Sequence, residues 1–348
     1  MKKLTLPLLT ASVLAGGLVY AANQEPQEPV AEKPVPEGVA PSIMQFFGAL
    51  PKNMDRADAP STKAQIALGR KLYFEKRLSK DGTLSCNSCH GLDTYGVDNA
   101  QFSSGVDGKL GGRNAPTVYM AAAHVTQFWD GRAADVEEQA LGPILNPVEM
   151  AMDSAEQVVG ILKADAEYPK LFAAAFPEDA EALTWNNLGR AIGAFERQLV
   201  TPSRFDDYLL GDASALTEKE LRGFKAFVDT GCFGCHNGPY MGGQIYMKLG
   251  LVKEWPSQKD LGRFDVTGVE THKMVFKVPS LRNVAKTGPY FHDGSVDELE
   301  EAVRMMSRHQ RGIELTDEEA TSIVDFLGAL TGELPKEEVA AAKASTQG

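Results

Sequence analysis

The sequence predicts an all-α fold with long loops and little strand, assembled from two related halves. Three observations carry this. Apolar residues recur at helical spacing before Cys86, between Ala155 and Leu210, and before Cys232. Strand signals are scarce, and Lys273 to Val278 is the best of them. Short pieces also recur at a constant offset of 163 residues: Pro116-Thr117-Val118 with Pro279-Ser280-Leu281, Phe128-Trp129-Asp130-Gly131 with Phe291-His292-Asp293-Gly294, and Glu137-Glu138 with Glu300-Glu301. Three matches in register point to an internal duplication.

The chain opens with Met1-Lys2-Lys3, an apolar run from Leu4 to Val19, and Tyr20-Ala21-Ala22-Asn23. That is the pattern of a secretory signal peptide, here residues 1–21. The run is 16 residues long and falls short of the ~20 that span a bilayer; an uncleaved anchor is the alternative. No cysteine lies near the cleavage site, which argues against a lipoprotein. Export to the periplasm, with no membrane span after cleavage, is the expectation. Cleavage removes Lys2 and Lys3 and takes the net charge from −12 to −14. Such a balance argues against nucleic acid and anionic lipid as partners and suits a basic or dipolar protein.

Residues 22–50 read as a Pro/Glu-rich linker, with Pro26, Pro29, Pro34, Pro36 and Pro41 and four glutamates before residue 42. A first domain is expected over 51–200 and a second over 201–332. In the first, Ser61 or Thr62 can cap a helix carrying Ile66, Leu68, Leu72, Tyr73 and Phe74. The segment Ala155 to Leu210 looks helical throughout. In the second, Thr217-Glu218-Lys219-Glu220 resembles a capping box, followed by Leu221, Phe224 and Phe227. Glycine and proline around 238–250 and 256–268 predict long loops. The tail, 333–348, is polar and alanine-rich from Lys336 on, expected to be frayed, loosely docked or packed back on the first domain.

The chemistry lies in Cys86-Asn87-Ser88-Cys89-His90 and Cys232-Phe233-Gly234-Cys235-His236. Both are C-x-x-C-H, the attachment signature of a c-type haem. Two cysteines three apart reach the two vinyl-derived carbons of one porphyrin, and the adjacent histidine faces the iron. The two motifs consume all four cysteines. A zinc site or a redox dithiol is the alternative. A helix leading into each motif makes the halves two cytochrome c-like haem domains. The remaining histidines are His124, His272, His292 and His309, and methionines after the second motif are Met241, Met247, Met274, Met305 and Met306. Composition does not choose the distal ligands among them.

The runs Cys86–His90, Arg113–Thr117, Gln127–Arg132, Phe276–Asn283 and Pro289–Gly294 resemble the bacterial di-haem cytochrome c peroxidases and the related MauG-type maturation enzymes. The likeness extends from about Pro51 to Leu330. It implies two covalently bound haem c groups, a peroxidatic one on His90 and an electron-accepting one on His236 closed by Met306. It implies that Trp129 lies between the haems, and that Gln139 and Glu149, with Phe128 and Met150 close by, stand above the peroxide site. It also implies Ca2+ at Asn114, Thr287 and Pro289, H2O2 as substrate, a small cytochrome c or cupredoxin as electron donor, and a homodimer. Cleaving H2O2 to water needs a proton moved from one peroxide oxygen to the other, which a carboxyl beside the iron performs; Glu149 is the candidate.

One departure stands out. Many members of that family carry a histidine in the loop before Arg113 that blocks the peroxidatic iron until the other haem is reduced. Here the matching position is Val106, and no histidine occurs between Gly91 and Ala123. The expectation is a first haem open on its distal side in the oxidised protein, needing no reductive activation; His124 is the alternative ligand. Two other readings remain: a MauG-like enzyme that oxidises a partner protein, against which Met306 stands where that group has tyrosine, and a non-catalytic di-haem electron carrier.

Overall fold

The computed structural model describes residues 33–345; the expected signal peptide, the expected linker up to residue 32 and the last three residues lie outside the described residues. Helices dominate. In the first half these are α1 (Lys63–Tyr73), the single turn α2 (Cys86–Cys89), α3 (Val136–Leu145), α4 (Ala155–Ala164), α5 (Tyr168–Ala175) and α6 (Trp185–Glu196). They are followed by α7 (Arg204–Leu209), α8 (Glu218–Asp229), the short α9 (Phe264–Thr267), α10 (Leu299–Met306), α11 (Asp317–Gly328) and α12 (Lys336–Ser345). Strand is confined to one antiparallel pair, β1 (Tyr246–Lys248) with β2 (Val275–Lys277). β2 falls inside the segment that carried the strand signal.

The caps account for the helix starts. Thr62 and Thr217 each accept from the amide three residues on, and Gln65 and Glu220 return the bond to the cap's own amide. Each half then rests on one tight crossing, α1 on α6 and α8 on α11. A Cβ at Gly69 would stand 1.8 Å from the Ala191 carbonyl oxygen, and one at Gly223 1.8 Å from that of Ser322. Glycine is required at both because backbone meets backbone there.

The duplication is visible in the backbone. Gln127 bridges Ala133, and Tyr290, 163 residues on, bridges Val296. Phe128 and Phe291 both adopt positive φ, 64° and 71°. Met120 and Asn283 do so as well, and their amides donate to the carbonyls of Leu199 and Leu330.

Two expectations are corrected and a third, for the tail, is narrowed to packing back on the first domain. The stretch 155–210 is four helices rather than one run, broken by Asp165–Glu167, by Phe176–Thr184, whose Asp179 and Ala182 bind the Asn187 amide, and by Arg197–Ser203. The end of the linker is ordered: Pro41–Phe46 form a 3-10 turn, and Met44 and Phe47 are buried against Phe205 and Phe224. The tail is not frayed up to Ser345. Its helix α12 buries Ala342 beside Tyr73 and Leu92, and Glu338 accepts from Arg70 Nε at 2.8 Å. Alanines give it a flat face that approaches the core closely.

Candidate active site

The first motif sits at the end of the loop after α1. Ser85 and Ser88 cap its turn reciprocally. Asn87, buried in the middle, accepts from the Leu92 amide at 3.0 Å and so folds the chain back past His90. Tyr73 Oη donates to the His90 carbonyl at 2.6 Å. The imidazole is fixed by Pro116, whose carbonyl lies 3.0 Å from Nδ1. A carbonyl accepts only, so Nδ1 carries the proton and Nε2 keeps its lone pair for a metal. Burial pushes the His90 pKa below its usual range, which keeps the ring neutral.

The second motif repeats this arrangement after α8. His236 Nδ1 lies 3.3 Å from the Met241 carbonyl, and burial pushes its pKa down to about 4. The four cysteines are free. Burial pushes Cys86 up to about 12 and Cys89 up to about 11. Among the described residues no three His, Cys, Asp or Glu side chains gather as metal ligands. With no such cluster present, the residues fit haem attachment better than zinc: two pairs of free thiols, each beside an imidazole held by a backbone carbonyl.

One cavity of about 670 Å³ is lined by Cys86, Cys89 and His90. Phe128, Trp129, Gln139, Glu149 and Met150 line the same space, as do Asn114, Thr287 and Pro289. Cys232, Cys235, His236 and Met306 do not. Met306 ends α10 and packs, with Met305, on the cluster of Trp255, Met274 and Phe276, where Trp129 also lies.

Glu149 follows α3 in a tight turn. Asn146 Oδ1 accepts from the Val148 amide at 3.1 Å while its Nδ2 donates to Glu149 Oε1 at 2.9 Å. Desolvation raises the Glu149 pKa above the usual carboxylate value, opposed by the Arg132 charge and the Asn146 bond. Arg132 also stacks its guanidinium 3.4 Å from the centre of the Phe128 ring. Asn146 escaped the sequence reading, although the Asn-Pro-x-Glu spacing is a turn signal, and Arg132 entered it only as the end of the Gln127–Arg132 run.

Trp129 Nε1 donates to the Asn114 carbonyl at 2.9 Å. Asn114 is itself buried; its amide donates to the His292 carbonyl and its side-chain Nδ2 to that of Ala100. Among the described residues no donor reaches Asn114 Oδ1 or the carbonyls of Thr287 and Pro289, and all three residues line the cavity.

Val106 is buried in a 3-10 turn, and its amide donates to the Glu149 carbonyl at 2.8 Å. The loop thus braces Glu149 from behind. His124 lines the cavity, but its Nδ1 lies 3.1 Å from Lys277 Nζ and its Nε2 is buried without a partner. Burial pushes Lys277 down to about 8.

The family described as di-haem cytochrome c peroxidase matches residues 63–214. The cytochrome c551 peroxidase of Pseudomonas aeruginosa is 45% identical over 296 residues, 83% of this chain and 84% of that protein. Its namesake from Nitrosomonas europaea is 42% identical over 341 residues, 96% of this chain and 93% of that protein. Among solved structures, a MauG-like protein associated with microbial copper homeostasis superposes with a TM-score of 0.74 at 32% identity, covering 83% of this chain and 96% of that one. The chain belongs to the di-haem peroxidase and MauG family, whose members carry two haem c groups, and it is an oxidoreductase acting on peroxide.

Proposed function

We propose that this member of the di-haem cytochrome c peroxidase family reduces H2O2 to water in the periplasm, with electrons from a small cytochrome c or cupredoxin and without prior reductive activation. One observation carries the reading: His90, with Nε2 available, and Glu149, a carboxyl of raised pKa, line the same cavity. Held by Cys86, Cys89 and His90, and in a second copy by Cys232, Cys235, His236 and Met306, haem c supplies peroxide reduction at the first site and electron acceptance at the second.

The chain's own residues do the rest. Glu149 takes a proton from one peroxide oxygen and returns it to the other, a transfer that its raised pKa favours over that of an exposed glutamate. Asn146 and the Val106 amide fix that carboxyl's position. Gln139 and Phe128 line the space in which peroxide turns. Trp129, held by Asn114, keeps an aromatic ring between the halves. Asn114 Oδ1 and the carbonyls of Thr287 and Pro289 offer a hard cation such as Ca2+ the oxygen ligands it prefers. Absence of reductive activation rests on Val106, whose side chain cannot ligate iron; His124, the other imidazole of the cavity wall besides His90, meets Lys277 through Nδ1 but keeps Nε2 unpartnered, so it stays the alternative ligand.

Steady-state H2O2 consumption by the purified di-haem protein, with a reduced small cytochrome c as donor, tests the proposal. Turnover from the fully oxidised enzyme without a lag supports it; no turnover, or turnover only after pre-reduction, overturns the corresponding half.

A further inference from the structure

Glu196 ends α6 with its carboxyl inside the protein. The residue is 5% exposed and lines the cavity that also holds Cys86, His90 and Glu149. Among the described residues no donor bonds its oxygens, and they are not among the sealed, unpartnered atoms, so they face the cavity. On the other side of α6 lies a second cavity of about 640 Å³, lined by Glu137 and Arg197 and by the exposed residues Arg56, Thr62 and Glu138. Glu137, on α3, receives Arg197 Nε at 3.0 Å and Nη2 at 2.8 Å. It lies flat on α6, where a Cβ at Gly193 would come within 2.8 Å of its Cγ and Cδ. Two carboxyls, Glu137 from α3 and Glu196 from α6, thus lie between a surface cavity and the cavity of the first motif.

The groups facing Glu196 are Glu137 from α3, Arg197 beside it, Tyr73 from α1 and Cys86 from α2. Burial pushes its pKa up to about 8, with Glu137 adding and Arg197 opposing, so it is mostly protonated at neutral pH.

We propose that Glu196 relays protons from the surface cavity, by way of Glu137, into the haem cavity. The inference rests on the peroxide reading above. Its balance is H2O2 + 2 H+ + 2 e− → 2 H2O, the electrons coming from the cytochrome or cupredoxin donor. Glu149 moves a proton already on the peroxide; Glu196 imports the two that each turnover consumes. The O–H bond of Glu196 breaks toward the cavity, and its carboxylate is reprotonated from the Glu137 side, which draws on solvent.

The test is Glu196→Gln in the holoprotein, a neutral isostere of the protonated side chain. In the native protein the midpoint potential of the first haem, followed spectroelectrochemically without peroxide, falls as pH rises through the region of about pH 8, because reduction favours the protonated acid. The variant loses that slope, and its peroxide turnover drops about tenfold or more. Gly193→Ala, which pushes Glu137 off α6, slows turnover but keeps the slope. An unchanged slope and unchanged pH profile in Glu196→Gln overturn the relay. Loss of the slope in a protein that turns over no peroxide keeps the proton route and overturns the peroxide reading instead.

Discussion

Trp129 and His292 occupy equivalent positions of the two repeats and meet each other, ring centroids 6.4 Å apart and planes at 71°. Each side of the junction is tied to Asn114, whose carbonyl accepts from the indole and whose amide donates to the His292 carbonyl. His292 in turn stacks on Phe276 at 4.3 Å. The duplicated turn therefore places its two differing aromatic residues at the seam, where one copy became an indole and the other an imidazole.

Replacing Trp129 by phenylalanine keeps a ring but deletes the donor to Asn114, a loss of about 1 kcal/mol. The expected outcome is slower electron passage between the haems with little change in peroxide binding. Stopped-flow spectra of the half-reduced enzyme, read at each haem's band after mixing with peroxide, measure it.

Glu149→Gln should lower peroxide turnover by about two orders of magnitude, since a general acid–base group contributes that much or more. Burial raises the folded pKa of Glu149 above 4.5, so the ionised base disappears, as pH falls, at a higher pH than for an exposed glutamate. The acid limb of the native pH–rate profile should lie above that value and vanish in the variant. An unchanged rate removes Glu149 from the mechanism.

With Val106 in place of a ligating side chain, EPR of the oxidised protein should show one high-spin and one low-spin haem. Val106→His should convert the first signal to low spin and impose a lag that pre-reduction abolishes. Two low-spin haems in the native protein would contradict this.

Gly69→Ala and Gly223→Ala each place a methyl 1.8 Å from a carbonyl oxygen of the crossing helix. Each should cost at least about 1–3 kcal/mol, the range for an overpacked core. Denaturant midpoints of the holoprotein read the loss, and the two should be similar because the crossings are equivalent.

Removing Ca2+ with a chelator should depress turnover and loosen the Trp129–Asn114 contact, and added Ca2+ should restore both. Tryptophan fluorescence and activity, measured in parallel, report it. Asn114→Ala should abolish the Ca2+ response.

Much of the fold was legible because its signals are local. A threonine followed three residues later by glutamine or glutamate caps α1 and α8 through bonds within one turn. The C-x-x-C-H spacing and the offset of 163 are likewise properties of the chain read in order. The breaks within 155–210 were not legible, since helical residues continue through regions where side chains such as Asn187 claim the backbone.

Sequence alone determined that two haem-attachment motifs sit in a duplicated helical chain, and that no histidine occupies the loop at Val106. The family resemblance pointed to Glu149, but only the tertiary structure decided how deeply the carboxyls are buried. Glu149 acquires its raised pKa from burial against a cavity wall, and Glu196 from burial at the end of α6 beside Glu137 of α3. Desolvation depends on everything packed around a group, most of it distant in the chain, so no spacing rule reports it. The same holds for Lys277, whose ammonium is buried beside His124, 153 residues away.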